Sequence, residues 1–332
     1  MEAHGRTGQW NEPDRQTKRR RAMANGFGIM RGVNLGGWLS QCSGETEHLD
    51  TFIREEDIAR IASWGMDHVR LPVDYDVLAR DDGFDRVDEA IGWCRKNGLK
   101  LVLDLHKTAG FSFDAGENES GFFDSADYQE QFYSLWERLA ARFGSLYEDV
   151  AFELLNEVTD YRYMATWNRI AVECIRRIRP IAPQTWILFG GYDNNAPYAV
   201  PTLEVPDDER IILNLHCYMP VEFTHQGAYW VPWLNREDRV SYEASGATEE
   251  YFEGIFHPAV FCAWRTGRSL YCGEYGVIDI ASPEDTLRWY RAIHAVFERH
   301  GIARCAWSYK AMDFGLGDPR MDGVRDELIK LL

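Results

Sequence analysis

From Met30 onward the chain repeats one pattern that few folds accommodate: a short apolar run rich in β-branched residues, a polar turn, then a longer stretch with helical spacing of its apolar positions. The apolar runs fall at 30–36 (MRGVNLG), 68–73 (HVRLPV), 100–106 (KLVLDLH), 150–156 (VAFELLN), 186–191 (WILFGG), 210–217 (RIILNLHC), 269–275 (SLYCGEY) and 304–309 (RCAWSY). Amphipathic stretches lie between them at 55–65, 87–98, 128–144, 163–179 and 284–301, and a further helical stretch at 320–332 follows the last run. Such alternation makes parallel sheet, because parallel strands need long crossovers, usually helical. Eight units in about 300 residues predict an α/β fold, a single (β/α)8 TIM barrel. An open doubly wound sheet would more often carry a Gly-rich phosphate turn after its first strand, and Gly32, Gly36 and Gly37 do not make G-x-G-x-x-G.

The charge balance narrows the partners. With 36 basic and 53 acidic side chains the formal charge is −17, a field that repels nucleic-acid backbones and anionic lipid heads and suits a neutral substrate. No apolar run approaches the roughly 20 residues of a membrane span. Seven cysteines at 42, 94, 174, 217, 262, 272 and 305, an odd number without C-x-x-C spacing, read as reduced thiols. The cluster Lys18, Arg19, Arg20 and Arg21 is followed by Ala-Met-Ala-Asn-Gly where an export signal needs an apolar stretch, so a cytoplasmic location is expected. Residues 1–29 read as a mobile leader and 30–332 as one catalytic domain, without internal repeat or linker.

In such a barrel chemistry sits at the carboxyl ends of the strands, where the loops converge around the open mouth. Those ends supply Asn34, Arg70, His106, Asn156 with Glu157, His216 with Tyr218, Glu274 and Trp307. Each follows an apolar run, so these polar groups border a low-dielectric interior where an idle charge is costly. Glu157 after strand four and Glu274 at the end of strand seven stand across one mouth and could face each other. Glycosidic cleavage with retention needs two carboxyls about 5–5.5 Å apart, and inversion about 6.5–9.5 Å. Residue spacing leaves that gap open.

Other chemistries fit less well. A zinc site from His106, His216, Cys217 and Cys272 fails because Cys217 directly follows His216, and adjacent strand residues point to opposite faces. Cys272, two residues before Glu274, is expected to share its face at a deeper level, as a packed thiol. An aldolase would need a Schiff-base lysine, for which only Lys107 and Lys310 lie near strand ends. No metal and no cofactor are expected. A non-catalytic carbohydrate-binding barrel would be expected to lack one of the two glutamates.

The strings LLNE at 154–157 and GEYG at 273–276, with RGVNLGGWL at 31–39, VRLP at 69–72, DLH at 104–106, NLHCY at 214–218 and Trp307, resemble glycoside hydrolase family 5 over residues 31–310. The resemblance implies a retaining β-glycoside hydrolase working by double displacement, with Glu157 as acid/base and Glu274 as nucleophile. It implies that Asn156 meets the sugar 2-hydroxyl, that Arg70 and Tyr218 keep Glu274 ionised, and that burial and the charge of Glu274 raise the pKa of Glu157. His106 and His216 would bind hydroxyls or tune the pair, Asn34 would support the site, and Trp307 would give the sugar an apolar face. The expected substrate is a neutral β-linked oligosaccharide or polysaccharide. RGVNLGGWL is most similar to the β-glucanase and β-glucosidase side of the family, including exo-acting 1,3-glucanases, whereas SQCSGETEHLD at 40–50 departs from those exo-enzymes. A β-mannan or another β-glycoside is the alternative. Two aromatic-rich loops, 107–127 with Phe111, Phe113, Phe122 and Phe123, and 219–250 with Tyr229, Trp230 and Trp233, read as subsite walls or as self-packed covers.

Overall fold

The computed structural model describes residues 26–114 and 119–332. Eight parallel strands close on themselves in chain order: β1 (Arg31–Asn34), β2 (His68–Asp74), β3 (Lys100–Lys107), β4 (Val150–Glu153), β5 (Ile187–Phe189), β6 (Ile211–Cys217), β7 (Ser269–Tyr275) and β8 (Ala303–Ala306), with β8 paired back to β1. The strand between helices is buried on both sides, which is why these segments read as nearly continuous apolar runs. Among the described residues six long helices wrap the barrel: α1 (Glu55–Ser63), α2 (Gly83–Lys96), α3 (Ala126–Phe143), α4 (Met164–Ile178), α5 (Glu249–Thr266) and α6 (Pro283–His300). Side-chain oxygens of Ser125, Thr248 and Ser282 accept from backbone N–H groups in the first turns of α3, α5 and α6, satisfying donors the helices leave free.

Two segments depart from the expected units. After β5 the chain makes a short turn, Tyr192–Asn195, and a 3-10 stretch, Pro197–Thr202, in place of a long helix. The stretch at 320–332 is not one helix: it holds the end of a 3-10 turn, Pro319–Met321, and a single helical turn, Arg325–Leu328, separated by Asp322, Gly323 and Val324. Its apolar periodicity is still used, since Met321, Leu328 and Leu332 are buried.

The amino-terminal end of the barrel is plugged. Phe27 and Ile29 pack with the inward residues Val102, Ala151, Leu188, Ile212, Tyr271, Ala303 and Cys305. Burying a side chain such as Phe27 contributes about 1.5–3 kcal/mol. The packed domain therefore starts before Met30; residues 1–25 of the expected leader lie outside the described residues. A second, larger apolar layer fills the space between strands and helices.

Strand parity is broken once where it matters. β6 pairs Leu215 with Cys272 and His216 with Glu274, so Gly273 is skipped as a bulge. Tyr271 points into the barrel and Cys272 into the layer beneath the helices. Glu274 nonetheless reaches the site inside the mouth, so Cys272 does not share its face as strict alternation requires. Among the described residues all seven cysteines are unpaired, and no helix is long and apolar enough to cross a membrane.

Candidate active site

Arg70, on β2 and fully buried, organises the mouth. Its Nε and Nη2 donate to the two oxygens of Glu153, each at 2.8 Å, and Nη2 also reaches Asn156 Oδ1 at 2.8 Å and Asp104 at 3.0 Å. Nη1 donates to Asn34 Oδ1 at 2.9 Å and to Glu274 Oε1 at 2.8 Å. One guanidinium thus faces three buried carboxylates, and their fields hold its pKa well above the ordinary arginine value despite burial.

The two sequence-predicted glutamates receive different treatment. Glu274 accepts from Arg70 and, at its other oxygen, from the Tyr218 hydroxyl at 2.8 Å. Glu157 lies in the loop past β4, four residues beyond Glu153, and among the described residues no lysine or arginine bonds to it. Its Oε2 accepts from Asn194 Nδ2 at 2.6 Å and its Oε1 lies 2.8 Å from His216 Nδ1. An oxygen of each glutamate and a ring nitrogen of His216 all fall within 4.8 Å of one another. The two carboxyls therefore face each other across the mouth.

Burial raises the pKa of both glutamates, and for Glu157 the rise reaches about 7, with Asp114 and Glu153 adding to it and Asn194 and Arg70 opposing it. At Glu274 the rise is opposed by His216 and Arg70 and increased by Glu157. The two are a coupled pair, and the guanidinium and phenol donors place the negative charge on Glu274. Burial lowers His216 to about 4, so the ring between them is neutral at pH 7. The trio could in outline hold a cation, but the adjacent guanidinium repels one and the donors already occupy the carboxylate oxygens.

Other predicted residues sort by what they touch. Asn34 donates to the carbonyls of Gly273 and Cys305 at 2.9 and 3.2 Å, tying β1 to β7 and β8 from a buried position. Asn156 spends its oxygen on Arg70 and keeps a buried Nδ2 with no partner, an available donor at the mouth. The nitrogens of His106 face Asp104 at 2.7 Å and Gln41 at 3.3 Å, and those of His216 face Glu157 and Asn195. Trp307 lies parallel to His106, ring centroids 5.7 Å apart, and passes so near Gly36 that a Cβ there would meet its ring at 2.7 Å.

The loop aromatics divide. Phe111, Phe122 and Phe123 are buried, Phe122 against Phe132 of α3 and Phe123 stacked on Tyr163 at 4.0 Å, so these three form a cover. Phe113 alone of that group meets the site, edge-on to His106 at 4.7 Å. Tyr229 and Trp233 remain exposed. Sequence reasoning missed Asp104, Glu153, Asn194, Asn195 and Asn214, whose Nδ2 donates to Glu153 at 2.8 Å. Asp104 and Glu153 carried a usable signal: each is a charge inside an apolar strand.

A family model for cellulase (glycosyl hydrolase family 5) matches residues 24–313. The chain belongs to glycosyl hydrolase family 5. It is a retaining β-glycoside hydrolase on the barrel fold of that family. Cellodextrinase A of Ruminococcus flavefaciens is 52% identical over 85% of this chain and 86% of its own length. Endoglucanase C of Acetivibrio thermocellus is 34% identical over 91% of this chain and 97% of its own. Among solved structures, Thermotoga maritima Cel5A in complex with cellobiose superposes with a TM-score of 0.80 at 26% identity, covering 95% of this chain and 100% of that one.

Proposed function

We propose that this family 5 hydrolase cleaves β-1,4-linked gluco-oligosaccharides, with Glu274 as nucleophile and Glu157 as general acid and then base. The observation that carries the assignment is the unequal treatment of two close carboxyls: Arg70 and Tyr218 both donate to Glu274, whereas among the described residues Glu157 meets Asn194 and a neutral His216. The Glu274 carboxylate attacks the anomeric carbon while Glu157 gives its proton to the departing glycosidic oxygen, leaving a glycosyl ester on Glu274. Glu157, now ionised, takes a proton from water as that water attacks the same carbon, and Glu274 leaves as carboxylate. The free Nδ2 of Asn156 suits the sugar 2-hydroxyl, where a hydrogen bond strengthens as the oxocarbenium-like transition state forms. Trp307, backed by His106, offers an apolar face for sugar C–H groups.

The gluco-configuration and short chain length rest on the relatives, one named a cellodextrinase and another an endoglucanase. A manno-oligosaccharide is the second reading, because a structure of Thermotoga maritima Cel5A is described with mannotriose as substrate. Initial rates on matched cello-, laminari- and manno-oligosaccharides, with product lengths by chromatography, test the choice. Preference for laminari- or manno-oligosaccharides over cello-oligosaccharides defeats it. The seven unpaired thiols support a reducing, cytoplasmic setting.

A further inference from the structure

The turn after β5 does something its sequence does not advertise. Asp193, Asn194 and Asn195 all adopt left-handed backbone, with φ of 48°, 57° and 57°. That conformation is unfavourable at every residue with a Cβ, least so at Asn and Asp, and successive residues rarely share it. Strain of this kind persists where surrounding structure demands it, and it clusters at functional sites. Here the backbone N–H of Asn194 donates to Val158 O at 3.0 Å, which fastens the turn to the chain just beyond Glu157, and the Tyr198 hydroxyl donates to Asp193 at 2.5 Å within the segment itself.

The consequence is that two successive asparagines address the two oxygens of one carboxyl. Asn194 Nδ2 donates directly to Glu157 Oε2 at 2.6 Å. Asn195 Nδ2 lies 3.3 Å from His216 Nε2, and His216 Nδ1 lies 2.8 Å from Glu157 Oε1. An amide donor on Nε2 puts the ring proton on Nδ1, which then donates to Glu157. Asn195 sits against Gly190 so closely that a Cβ there would fall 2.2 Å from its Oδ1, so Gly190 is part of the same device.

We propose that the Asp193–Asn195 turn is a positioning device for Glu157, Asn194 holding one carboxyl oxygen and Asn195, through His216, the other. The inference rests on Glu157 being the acid/base. The turn leaves a lone pair on each oxygen for the proton that moves, and it stabilises the carboxylate form that must act as base in the second step. It works against burial and against the charges that face Glu157: Glu153 of β4, Asp114 of the loop after β3 and Glu274 of β7, with Arg70 of β2, Asp104 of β3, neutral His216 of β6 and Tyr218 just after β6 as further titratable neighbours among the described residues.

The test compares Asn194→Gly, which keeps the left-handed backbone and loses only the donor, with Asn195→Ala and with Glu157→Gln, each in the full chain. In Asn194→Gly the alkaline limb of kcat/KM should move up by about one pH unit, since a donor that favours the carboxylate is gone. The kcat/KM on cello-oligosaccharides should drop about tenfold while that on a dinitrophenyl glycoside, which reports a first step needing no acid, loses less than about threefold. Asn195→Ala should move the limb the same way by less. An unmoved limb in both asparagine variants, or equal losses on both leaving groups, overturns the proposal while the Glu157 assignment stands. If Glu157→Gln keeps the alkaline limb, the assignment beneath it fails instead.

Discussion

Glu153 holds Arg70 by a two-point fork, each oxygen 2.8 Å from a separate guanidinium nitrogen, and so fixes the group that meets Glu274 without itself approaching the mouth. Asn214 braces the same carboxylate at 2.8 Å, and none of its surface is exposed. Replacing Glu153 by Gln puts an amide N–H against a guanidinium N–H, so one arm of the fork must open. Breaking a buried pair of this kind is expected to cost about 3 kcal/mol in stability. Misorientation of Arg70 and Glu274 should lower kcat about 10–100-fold. Chemical denaturation and steady-state kinetics on E153Q measure both, and an unchanged kcat would detach Glu153 from the site.

Glu274→Gln should abolish turnover on every substrate, because an amide of nearly the same shape cannot attack the anomeric carbon. Residual kcat above about a hundredth of the wild-type value, on protein free of contaminating activity, would contradict the nucleophile assignment. Azide should not restore turnover with retained configuration.

Glu157→Ala separates the two steps. An activated leaving group such as dinitrophenolate departs without a proton, so the glycosyl ester should form on Glu274 and persist for want of a base. A burst of phenolate, a protein mass increased by one glycosyl unit, and acceleration by azide with a β-configured product are expected. Equal rate losses on activated and unactivated substrates, with no burst, would remove Glu157 from the mechanism.

The pH profile follows from the same residue. A general acid works only while it holds its proton, so kcat/KM should fall as pH rises through about 7, where burial has moved Glu157. Glu274 must be ionised to attack, so the rate should also fall on the acid side as its carboxylate takes up a proton. A profile flat from pH 6 to 9 would not fit an acid held where burial puts Glu157.

The barrel and the residues that gather at its mouth were legible because each strand is an apolar run interrupted or ended by a polar group such as Arg70, His106 or Glu274. What sits one layer deeper was harder to read. Asp104 and Glu153 lie inside strands, where period-two alternation puts Asp104 on the face of His106, and the charge was visible although its partner was not. Asn194 and Asn195 were invisible for another reason: YDNN reads as an ordinary turn, and their role depends on left-handed backbone that composition does not reveal. The expected face of Cys272 was wrong because the bulge at Gly273 adds a residue and flips the phase of everything after it. The absent helix after β5 has the same local origin, since the segment there goes to the turn that addresses Glu157.

Phe27 and Ile29 cap a barrel interior that inward side chains already fill, so the site opens only at its mouth. The departing sugar and the water that ends the cycle must share one doorway, so they compete for the same volume above the ester on Glu274. At high sugar concentration a hydroxyl from a second oligosaccharide should win that competition in some cycles. The product mixture should then contain chains longer than the starting material, transient in time and rising with substrate concentration. Chromatography of early time points would reveal them, and their absence even at saturating oligosaccharide would mean that water reaches the ester by a route the plugged floor does not provide.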